Sequence, residues 1–201
     1  MISGEIDWRI GPLHYVIVGI ESALKAIQEE VHKDEGFDGL WGREYADTLL
    51  GLGFVAAQTY ALGAWTDLNK VRKRDGRTAL EKHDCYASDP ITVKAGVTRI
   101  ELINATANYF KHHDQWPDSL TKKTPDNLAK KKPDNLAEKT SELLGRVGII
   151  TQRPHLPCVE ATRLLCGESW DMIVLHQIVR EWRAHIFSVL RETEERPRLS
   201  R

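Results

Sequence analysis

Cysteine, excess charge and long apolar runs are all scarce in this chain, and each shortage excludes a class of protein. The 201 residues contain three widely spaced cysteines, Cys85, Cys158 and Cys166, an odd set that indicates reduced thiols rather than a secreted disulfide framework. Lysine plus arginine total 28 against 29 for aspartate plus glutamate, so the net charge of -1 provides no global attraction to nucleic acid. Any phosphate binding must therefore come from a local patch.

Signals for membrane insertion and metal binding are also missing from the sequence. The apolar run at 13–20 is too short to cross a bilayer, and the acidic residues Glu5 and Asp7 precede it where a signal peptide would be basic. No pair of Cys-x-x-Cys motifs and no His-Glu-x-x-His motif occurs. We therefore expect a cytoplasmic protein with no membrane partner, no metal and no cofactor.

What the sequence does contain is helical periodicity. Apolar residues recur at spacings of three and four over 13–33, and again over about 41–71, where they occupy nearly all faces and predict a central, buried helix. A third helix is expected to begin at the Ser-Asp-Pro sequence of 88–90 and to end before Pro117. A fourth is expected over about 169–193, opening on a serine N-cap.

These segments predict an all-α fold in one domain. Residues 1–193 are expected to form a single antiparallel bundle of four long helices, with short helical inserts near 136–144 and 158–166. No pair of alternating apolar runs joined by a turn is present, so no sheet is expected beyond a strand at 147–151. Residues 194–201 are expected to form a flexible tail.

An eight-residue segment occurs twice in tandem within 122–137. The two copies, 122–129 and 130–137, differ only where Thr124 is replaced by Lys132. Each copy reads as a turn that opens on Pro-Asp-Asn, and the unit is too short for a solenoid repeat. A tandem duplication in a surface loop is the simplest account, since extending a loop costs little free energy. We assign the repeat no function.

The strongest functional signal is a row of polar residues on the third predicted helix, within 101–116. At about 100° per residue, five side chains fall on one narrow face, which we call the polar stripe. They are Glu101, Asn104, Asn108, Lys111 and His112, and the opposite, core-forming side holds Ile100, Ile103, Ala107 and Phe110. Asparagine is a poor interior helix former, so helix formation does not explain two of them on one face. The alternatives are a solvated face and a polar cleft that binds or cleaves an anionic substrate.

The sequence of residues 108–116, Asn-Tyr-Phe-Lys-His-His-Asp-Gln-Trp, resembles a segment of a plasmid- and phage-associated branch of the HEPN superfamily. Members of that superfamily are helical bundles, commonly dimeric, and many are metal-independent RNases of toxin–antitoxin or phage-defence systems. The resemblance implies an RNA-binding protein or endoribonuclease that forms a homodimer and has an antitoxin-like partner protein. Outside this segment, only the order of amphipathic helices is similar.

The usual catalytic signature of the superfamily is an arginine followed four to six residues later by a histidine. Three pairs in this chain have that spacing, namely Arg9–His14, Arg77–His83 and Arg180–His185. The last pair ranks first because it lies on a predicted long helix, although a separation of five residues turns its side chains about 140° apart.

Within the polar stripe, Lys111 and His112 are the alternative to that signature. His112 is the candidate acid–base group for attack of an RNA 2′-hydroxyl on the adjacent phosphate, and Lys111 would stabilise the charge that develops. Glu101 and Asn108 would orient the imidazole or the ribose. These four residues form the predicted catalytic set.

Further candidate contacts to RNA lie beside this set and on the last helix. Asn104 belongs to the stripe, and Trp116 follows it as a ring on which a base would stack. His176, Arg180 and Arg183 share one face of the last helix at spacings of four and three. They complete a composite anion site if that face lies beside the stripe.

Two other features leave different functions open. A basic cluster at the end of the second helix either complements the helix dipole or binds phosphate; it comprises Lys70, Arg72, Lys73, Arg74 and Arg77. The apolar second helix favours a non-catalytic interaction protein of a mobile genetic element, in which the polar stripe would play no part. A nucleotide-binding bundle is the third alternative.

Overall fold

The computed structural model describes residues 7–33, 39–115, 135–151 and 155–189, most of which are helical. The expected all-α class is confirmed at this level. The described residues form α1 (Ile10–Lys33), α2 (Gly39–Arg74), α3 (Lys82–Ala87), β1 (Thr92–Lys94), β2 (Val97–Thr98), α4 (Arg99–His112), a 3-10 turn (His113–Gln115), α5 (Asn135–Val147), α6 (Pro157–Cys166) and α7 (Ile173–Val189).

Helix α2 is the centre of the fold, as its nearly all-round apolar sequence predicts. It contacts α1, α4, α6 and α7. Two glycines permit close approach, because a Cβ at Gly51 would overlap the Phe110 ring of α4 and a Cβ at Gly53 would overlap the Met172 side chain ahead of α7. This close packing offsets the helix propensity that glycine loses.

Helices α1 and α2 run in opposite directions along each other. The Arg9 side chain, just before α1, lies against Gly63 late in α2, whereas Val31 near the end of α1 lies against Gly42 near the start of α2. The buried face of α1 between these points follows the predicted spacing of three and four. Its fully or largely buried members are Leu13, Ile17, Ile20 and Leu24.

Helix α3, a short helix that follows α2, joins α7 to the core. Trp182 of α7 is fully buried, and its indole N–H donates a hydrogen bond to the Cys85 carbonyl at 3.0 Å. The Tyr86 ring meets the Trp182 ring edge-on, with 5.5 Å between ring centroids. A short helix thus gains its stability from tertiary packing rather than from propensity.

A short antiparallel hairpin precedes α4, and the prediction that strand would be confined to 147–151 was wrong. Thr92 pairs with Thr98 across the hairpin. Its turn is made by Ala95 at φ 50° and Gly96 at φ 73°, and such positive φ values at both central residues match the right-handed twist of the strands. The pattern escapes detection because the strands have only three and two residues.

Helix α4 begins at Arg99 rather than at the predicted 88–90. Thr98 is the N-cap, and its hydroxyl accepts a hydrogen bond from the Glu101 N–H at 3.1 Å. Asp89 is buried and does not cap a helix; its carboxylate accepts two hydrogen bonds from the Arg99 guanidinium, at 2.9 and 3.1 Å. The Ser-Asp-Pro sequence therefore marks a turn stabilised by an ion pair.

The remaining helices lie close to their predicted positions. Helices α5 and α6 correspond to the short inserts expected at 136–144 and 158–166. Helix α7 starts at Ile173 rather than Ser169, because the Asp171 carboxylate accepts a hydrogen bond from the Ile173 N–H at 3.0 Å. Of the tandem repeat, only 135–137 lie within the described residues, at the start of α5.

Helix α1 is longer than the apolar run recognised in the sequence. Residues Ile10–Val31 are long and apolar enough, by length and composition alone, to cross a membrane, and 22% of that window is buried in the fold. A buried core helix and an N-terminal signal sequence pass the same test, and in this fold α1 contributes Leu13, Ile17, Ile20 and Leu24 to the core.

Candidate functional site

The predicted core-forming side of α4 is buried. Ile100, Ile103 and Ala107 are fully buried, and Phe110 is partly buried against Gly51 of α2. The polar stripe lies on another side of α4, where Asn108 is nevertheless buried, so its members have to be placed one by one.

Glu101 acts in the capping of α4. Its carboxylate accepts a hydrogen bond from the Thr98 N–H at 2.9 Å, while Thr98 accepts from the Glu101 N–H. The same carboxylate lies 3.9 Å from His83 Nδ1 of α3. His112 is eleven residues further along the helix, or about 16 Å at 1.5 Å per residue. Glu101 is therefore too far away to orient the His112 imidazole.

Gln58 of α2 gathers the middle of the polar stripe. Its Nε2 donates to Asn104 Oδ1 at 2.9 Å and to Asn108 Oδ1 at 2.8 Å, and also lies 3.2 Å from the Asn104 carbonyl. Its Oε1 accepts a hydrogen bond from Lys111 Nζ at 2.7 Å. One carboxamide thus fixes three stripe side chains in a single arrangement, and we call these four residues the amide cluster.

The amide cluster leaves two amide donors without a partner among the described residues. Because both asparagine oxygens accept from Gln58, the Nδ2 groups of Asn104 and Asn108 remain as donors, and neither bonds to another described side chain or carbonyl. Neither Nδ2 is among the fully buried, unpaired polar atoms of the described residues; Asn104 is partly buried and Asn108 is 9% exposed. Amide N–H groups beside an ammonium group suit an anion such as a phosphate.

Lys111 of the cluster and Lys82 of α3 have no carboxylate partner among the described residues. Partial burial and the nearby positive charge of Lys82 in α3 lower the pKa of Lys111 below its usual value. Within the described residues, neither lysine forms an ion pair, and Lys82 Nζ lies 5.8 Å from the centroid of the Tyr86 ring. An anion bound between the two ammonium groups would relieve their repulsion.

His112 and His113 have different surroundings. His112 is half-buried and makes no hydrogen bond or ion pair with another described residue. His113 is fixed at the end of α4, since its ring stacks on Tyr109 at 4.9 Å and its Nδ1 lies 3.1 Å from the Phe110 carbonyl. Its Nε2 lies 3.2 Å from Asp114 Oδ1. The part of the structure described here contains no group that would polarise His112.

The basic face of α7 does not join the polar stripe. Arg183 Nε lies 3.4 Å from Asp7 Oδ2, and the Tyr60 hydroxyl of α2 donates to the same carboxylate. Tyr60 and Gln58 are two residues apart on α2 and therefore point about 200° apart. The composite anion site expected from the sequence is thus divided, with its two halves on opposite sides of α2.

The other two members of that face, His176 and Arg180, also lie away from the polar stripe. The His176 ring lies 5.4 Å from the His14 ring of α1, and burial, together with the charges of His14 and Arg180, lowers the pKa of His176. Arg180 is exposed at the surface. We find this group beside the N-terminal part of α1, where Asp7 neutralises part of its charge.

None of the three arginine–histidine pairs forms a shared site in the described residues. Arg9 pairs with Asp67 of α2, whereas His14 faces His176. Arg77 follows the end of α2, and His83 pairs with Glu101. Arg180 and His185 lie on one continuous helix, α7, so their side chains diverge as the spacing predicts.

The basic cluster at the end of α2 is partly structural. Arg72 is fully buried, and its Nε donates to the Thr78 carbonyl at 2.8 Å. Lys70 lies 3.5 Å from Asp67, and Arg74 lies 3.6 Å from Asp75. The Arg72 hydrogen bond ties the end of α2 to the segment that follows it, whereas the Lys70–Asp67 pair lies within the helix.

Two site residues were missed by sequence reasoning, and one predicted residue cannot be placed. Gln58 is an isolated amide in an apolar stretch of α2, and that isolation is the feature of the sequence that could have identified it. Nothing in the sequence distinguishes Lys82 from other surface lysines. Trp116 lies outside the described residues. Within the described ranges, no group of three or more histidine, cysteine, aspartate or glutamate side chains is placed to hold a metal ion.

Comparison with known proteins gives no relative. No family model matches the chain, and no curated protein or solved structure shows significant similarity to it.

Proposed function

We propose that this chain is an HEPN-like RNA-binding protein of a toxin–antitoxin or defence system, and that the amide cluster contacts the RNA backbone. The observation that carries the proposal is the Gln58 carboxamide, which holds Asn104, Asn108 and Lys111 together and leaves both asparagine Nδ2 groups without a partner among the described residues. Contacts to phosphate oxygens from amide and lysine groups are the usual positioning contacts of nucleic-acid-binding proteins. The choice of RNA rests on the resemblance.

The proposal assigns binding rather than chemistry to the site. A general acid–base histidine needs a group that orients it and a substrate atom within hydrogen-bond reach. Glu101, which was expected to orient His112, is used in the helix cap instead. Whether the protein also cleaves RNA is decided by the test below, in which His112 is the candidate acid–base residue.

The test measures the affinity of purified protein for a fluorescently labelled single-stranded RNA by anisotropy. Replacing Lys111 with glutamine should weaken binding by about tenfold, which corresponds to about 1.4 kcal/mol for a lost charge-assisted contact. Asn108→Asp, which replaces the Nδ2 donor with a carboxylate oxygen in a side chain of the same shape, should weaken it at least as much. Lys25→Gln, on the exposed surface of α1, is the matched control and should leave the affinity unchanged.

A second arm separates binding from catalysis. The same RNA is incubated with wild-type protein and with His112→Ala in the presence of EDTA, and the products are resolved on a denaturing gel. Cleavage by the wild type alone would add an endoribonuclease activity to the proposal. Binding without cleavage would leave an RNA-binding protein, and equal affinity in wild type and Lys111→Gln would exclude the amide cluster as the site.

One observation favours the second candidate, a non-catalytic interaction protein of a mobile genetic element. Part of α2 exposes leucine and tyrosine side chains instead of burying them. An antitoxin-like partner that bound this face would be retained when Lys111 or Asn108 is changed. Co-purification of a partner with both variants would favour this candidate over RNA binding.

The fold and the location complete the proposal. We propose that α1, α2, α4 and α7 form one antiparallel bundle, which is supported by the opposite chain directions of α1 and α2 and by the contact of late α4 with early α2. A cytoplasmic location is supported by three cysteines that form no disulfide with one another. Fractionation of cells expressing the full chain tests this location, because a protein inserted into the membrane through α1 would sediment with the membranes.

A further inference from the structure

A pocket with a cavity volume of about 150 Å³ lies where the end of α1 packs against the start of α2. Six of its lining residues are apolar or glycine: Leu24, Ile27 and Val31 of α1, Gly42 and Ala46 of α2, and Trp170 of the turn before α7. The other two are Gln28 and Arg43, and both are exposed. The pocket therefore has apolar walls and a polar mouth.

The spacing of the lining residues explains why the two helices enclose a space. On α1, Leu24, Ile27 and Val31 recur at intervals of three and four and share one face. On α2, Gly42 and Ala46 lie about one turn apart and present little side chain to that face. The helices touch at Gly42, where an added Cβ would lie 2.7 Å from Val31 Cγ2. Next to this contact, the single methyl group of Ala46 leaves part of the groove between the helices unfilled.

Trp170 lines the pocket from a turn with an unusual backbone conformation. Its φ of 53° lies in the left-handed region, which is rare for a bulky side chain and costs free energy. Adjacent contacts hold this turn in place, because the Ile173 N–H donates to Asp171 Oδ1 at 3.0 Å and to Glu21 Oε1 of α1 at 3.1 Å. Met172, which follows Asp171, is fully buried. The fold thus maintains a costly conformation that places an indole ring at the pocket.

Arg43 is the cation at the mouth of the pocket. Among the described residues it forms no hydrogen bond or ion pair. A guanidinium group is always charged, and its paired N–H donors match the two oxygens of a carboxylate. A carboxylate held there would stay in contact with water while the rest of the ligand lay among apolar side chains. Arg43 therefore favours a ligand with one negative charge at one end.

The cavity volume sets the size of that ligand. An engineered apolar cavity of roughly 150 Å³ in another protein holds a single benzene ring. An indole in the wall favours a flat aromatic ring, because aromatic pairs gain free energy beyond the area that they bury. A nucleotide exceeds this volume, and all of its phosphates would share one cation. The class that matches the pocket is a single-ring aromatic acid.

We propose that this pocket binds a small aromatic monocarboxylate, with its ring between Ala46 and Trp170 and its carboxylate on the Arg43 guanidinium. The ring would supply the dispersion contacts that the lining atoms lack. The inference is independent of RNA binding. Gln58 lies twelve residues beyond Ala46 on α2, or about 18 Å at 1.5 Å per residue, and the pocket and the amide cluster share no side chain.

The first experiment locates binding through the indole N–H resonances of the full chain labelled with nitrogen-15. Phenylacetate is the ligand, and Trp170→Phe assigns the Trp170 resonance by removing it. Phenylacetate should shift this resonance saturably, with a dissociation constant of about 1 mM or less. Trp182 is the internal control, because its indole is buried in the core and bonded to the Cys85 carbonyl. Its resonance should not move.

The second experiment tests the charge at the mouth. Phenylacetamide has the shape of phenylacetate but is neutral, so comparison of the two ligands isolates the carboxylate. Arg43→Gln should weaken phenylacetate binding by about tenfold and leave phenylacetamide binding unchanged. Arg74→Gln is the matched control, since Arg74 is an exposed arginine at the other end of α2. It should leave both affinities unchanged.

A further variant tests the cavity itself. Ala46→Leu adds an isopropyl group to the wall and should abolish the Trp170 shift with both ligands, because the added atoms occupy the space of the ring. Thr48→Leu is its control, since Thr48 is exposed on the same helix and does not line the pocket. Circular dichroism establishes that each variant is folded. If Ala46→Leu does not fold, the Trp170 resonance and the Arg43 comparison decide the question.

Three results would overturn the inference. They are the absence of a saturable Trp170 shift with phenylacetate, an unchanged phenylacetate affinity in Arg43→Gln, and undiminished binding by a folded Ala46→Leu protein. Tighter binding of phenylacetamide than of phenylacetate would exclude an anionic ligand. RNA affinity should be equal in wild type and Arg43→Gln, so that failure of this inference leaves the RNA-binding proposal unaffected.

Discussion

At the scale of single residues, Arg72 shows how a basic cluster seen in sequence can have a structural role. Its side chain is fully buried and bonds to the Thr78 carbonyl, which anchors the segment after α2. The Lys70, Lys73 and Arg74 side chains lie near the same helix end, so sequence alone gives all four equal weight as phosphate contacts. Burial is the property that distinguishes them.

Replacing Arg72 with leucine should lower the free energy of unfolding by about 2 kcal/mol, since a packed side chain and a charge-assisted hydrogen bond are both lost. Arg74→Leu is the matched control, because its side chain is 64% exposed and the expected change is below about 0.5 kcal/mol. Urea denaturation followed by circular dichroism measures both. Equal losses in the two variants would contradict the structural role of Arg72.

Asp47 of α2 is a second residue whose role depends on burial. Its Oδ1 accepts a hydrogen bond from the Val159 N–H at 3.0 Å, at the start of α6. Desolvation by burial raises the pKa of this carboxyl above its usual value, despite opposing hydrogen bonds from the backbone of Val159 and Cys158. The folded state therefore binds the Asp47 proton more tightly than the unfolded state.

This shift makes a pH-dependent contribution to stability. The contribution is fully present below the unfolded pKa of about 3.9 and is lost as the pH rises through the folded pKa. Asp47→Asn removes the titration, so its stability relative to wild type should improve between pH 4 and pH 7. Urea midpoints of the two proteins at both pH values measure this change, and a constant difference would refute the raised pKa.

At the scale of elements, the start of α4 separates a capping role from a binding role for Glu101. Glu101 and Thr98 form a reciprocal cap, and the Thr98 hydroxyl also donates to the Tyr86 carbonyl at 3.0 Å. Glu101→Ala should therefore lower the free energy of unfolding by about 1 kcal/mol while leaving RNA affinity unchanged. Thermal melts and anisotropy on one preparation measure the stability and the RNA affinity. A loss of affinity comparable to that of Lys111→Gln would show that Glu101 takes part in RNA binding.

Contacts between α2 and α4 give a second prediction at this scale. Gly51→Ala improves helix propensity by about 1 kcal/mol, but its new methyl group would overlap the Phe110 ring, so the net effect should be a loss of about 1–3 kcal/mol. Gly19→Ala in α1, where nothing lies within 4 Å of the added Cβ, should instead be neutral or stabilising. Denaturation midpoints that rise in both variants would show that helix propensity outweighs packing at Gly51.

Helical periodicity predicted α1, α2, α5 and α6 because their apolar faces repeat over several turns. It did not place the start of α4, since the Ser-Asp-Pro sequence at 88–90 and the Thr98–Glu101 pair are both valid local starts. The choice between them depends on the Asp89–Arg99 ion pair, a contact that forms only in the fold. Local rules therefore identified the helices more reliably than their boundaries.

At the scale of the whole molecule, the polar stripe was recognisable in sequence but its organisation was not. Periodicity placed Asn104, Asn108 and Lys111 on one face. Gln58, which binds all three, lies on another helix and is 50 residues from Asn108 in the sequence. The same limit applies to α7, whose basic face was grouped with the stripe but lies beside Asp7 and His14 instead. Which helix faces meet is a property of tertiary packing.

The chain has almost no net charge, so the salt dependence of RNA binding should report which local cations are used. Each phosphate neutralised on a single strand contributes a slope of about −0.7 to a plot of log affinity against log salt concentration. Lys82 and Lys111 together predict a slope of about −1.4. The α2-end cluster without Arg72 would give about −2.8, because four cations remain there.

Anisotropy titrations from low to moderate salt measure this slope for wild type and for Lys82→Gln. The variant should lose about half of the wild-type slope, since one of the two predicted phosphate contacts is removed. A slope near −2.8 that is unaffected by Lys82→Gln would place the RNA at the end of α2. The amide cluster would then be a packing feature between α2 and α4.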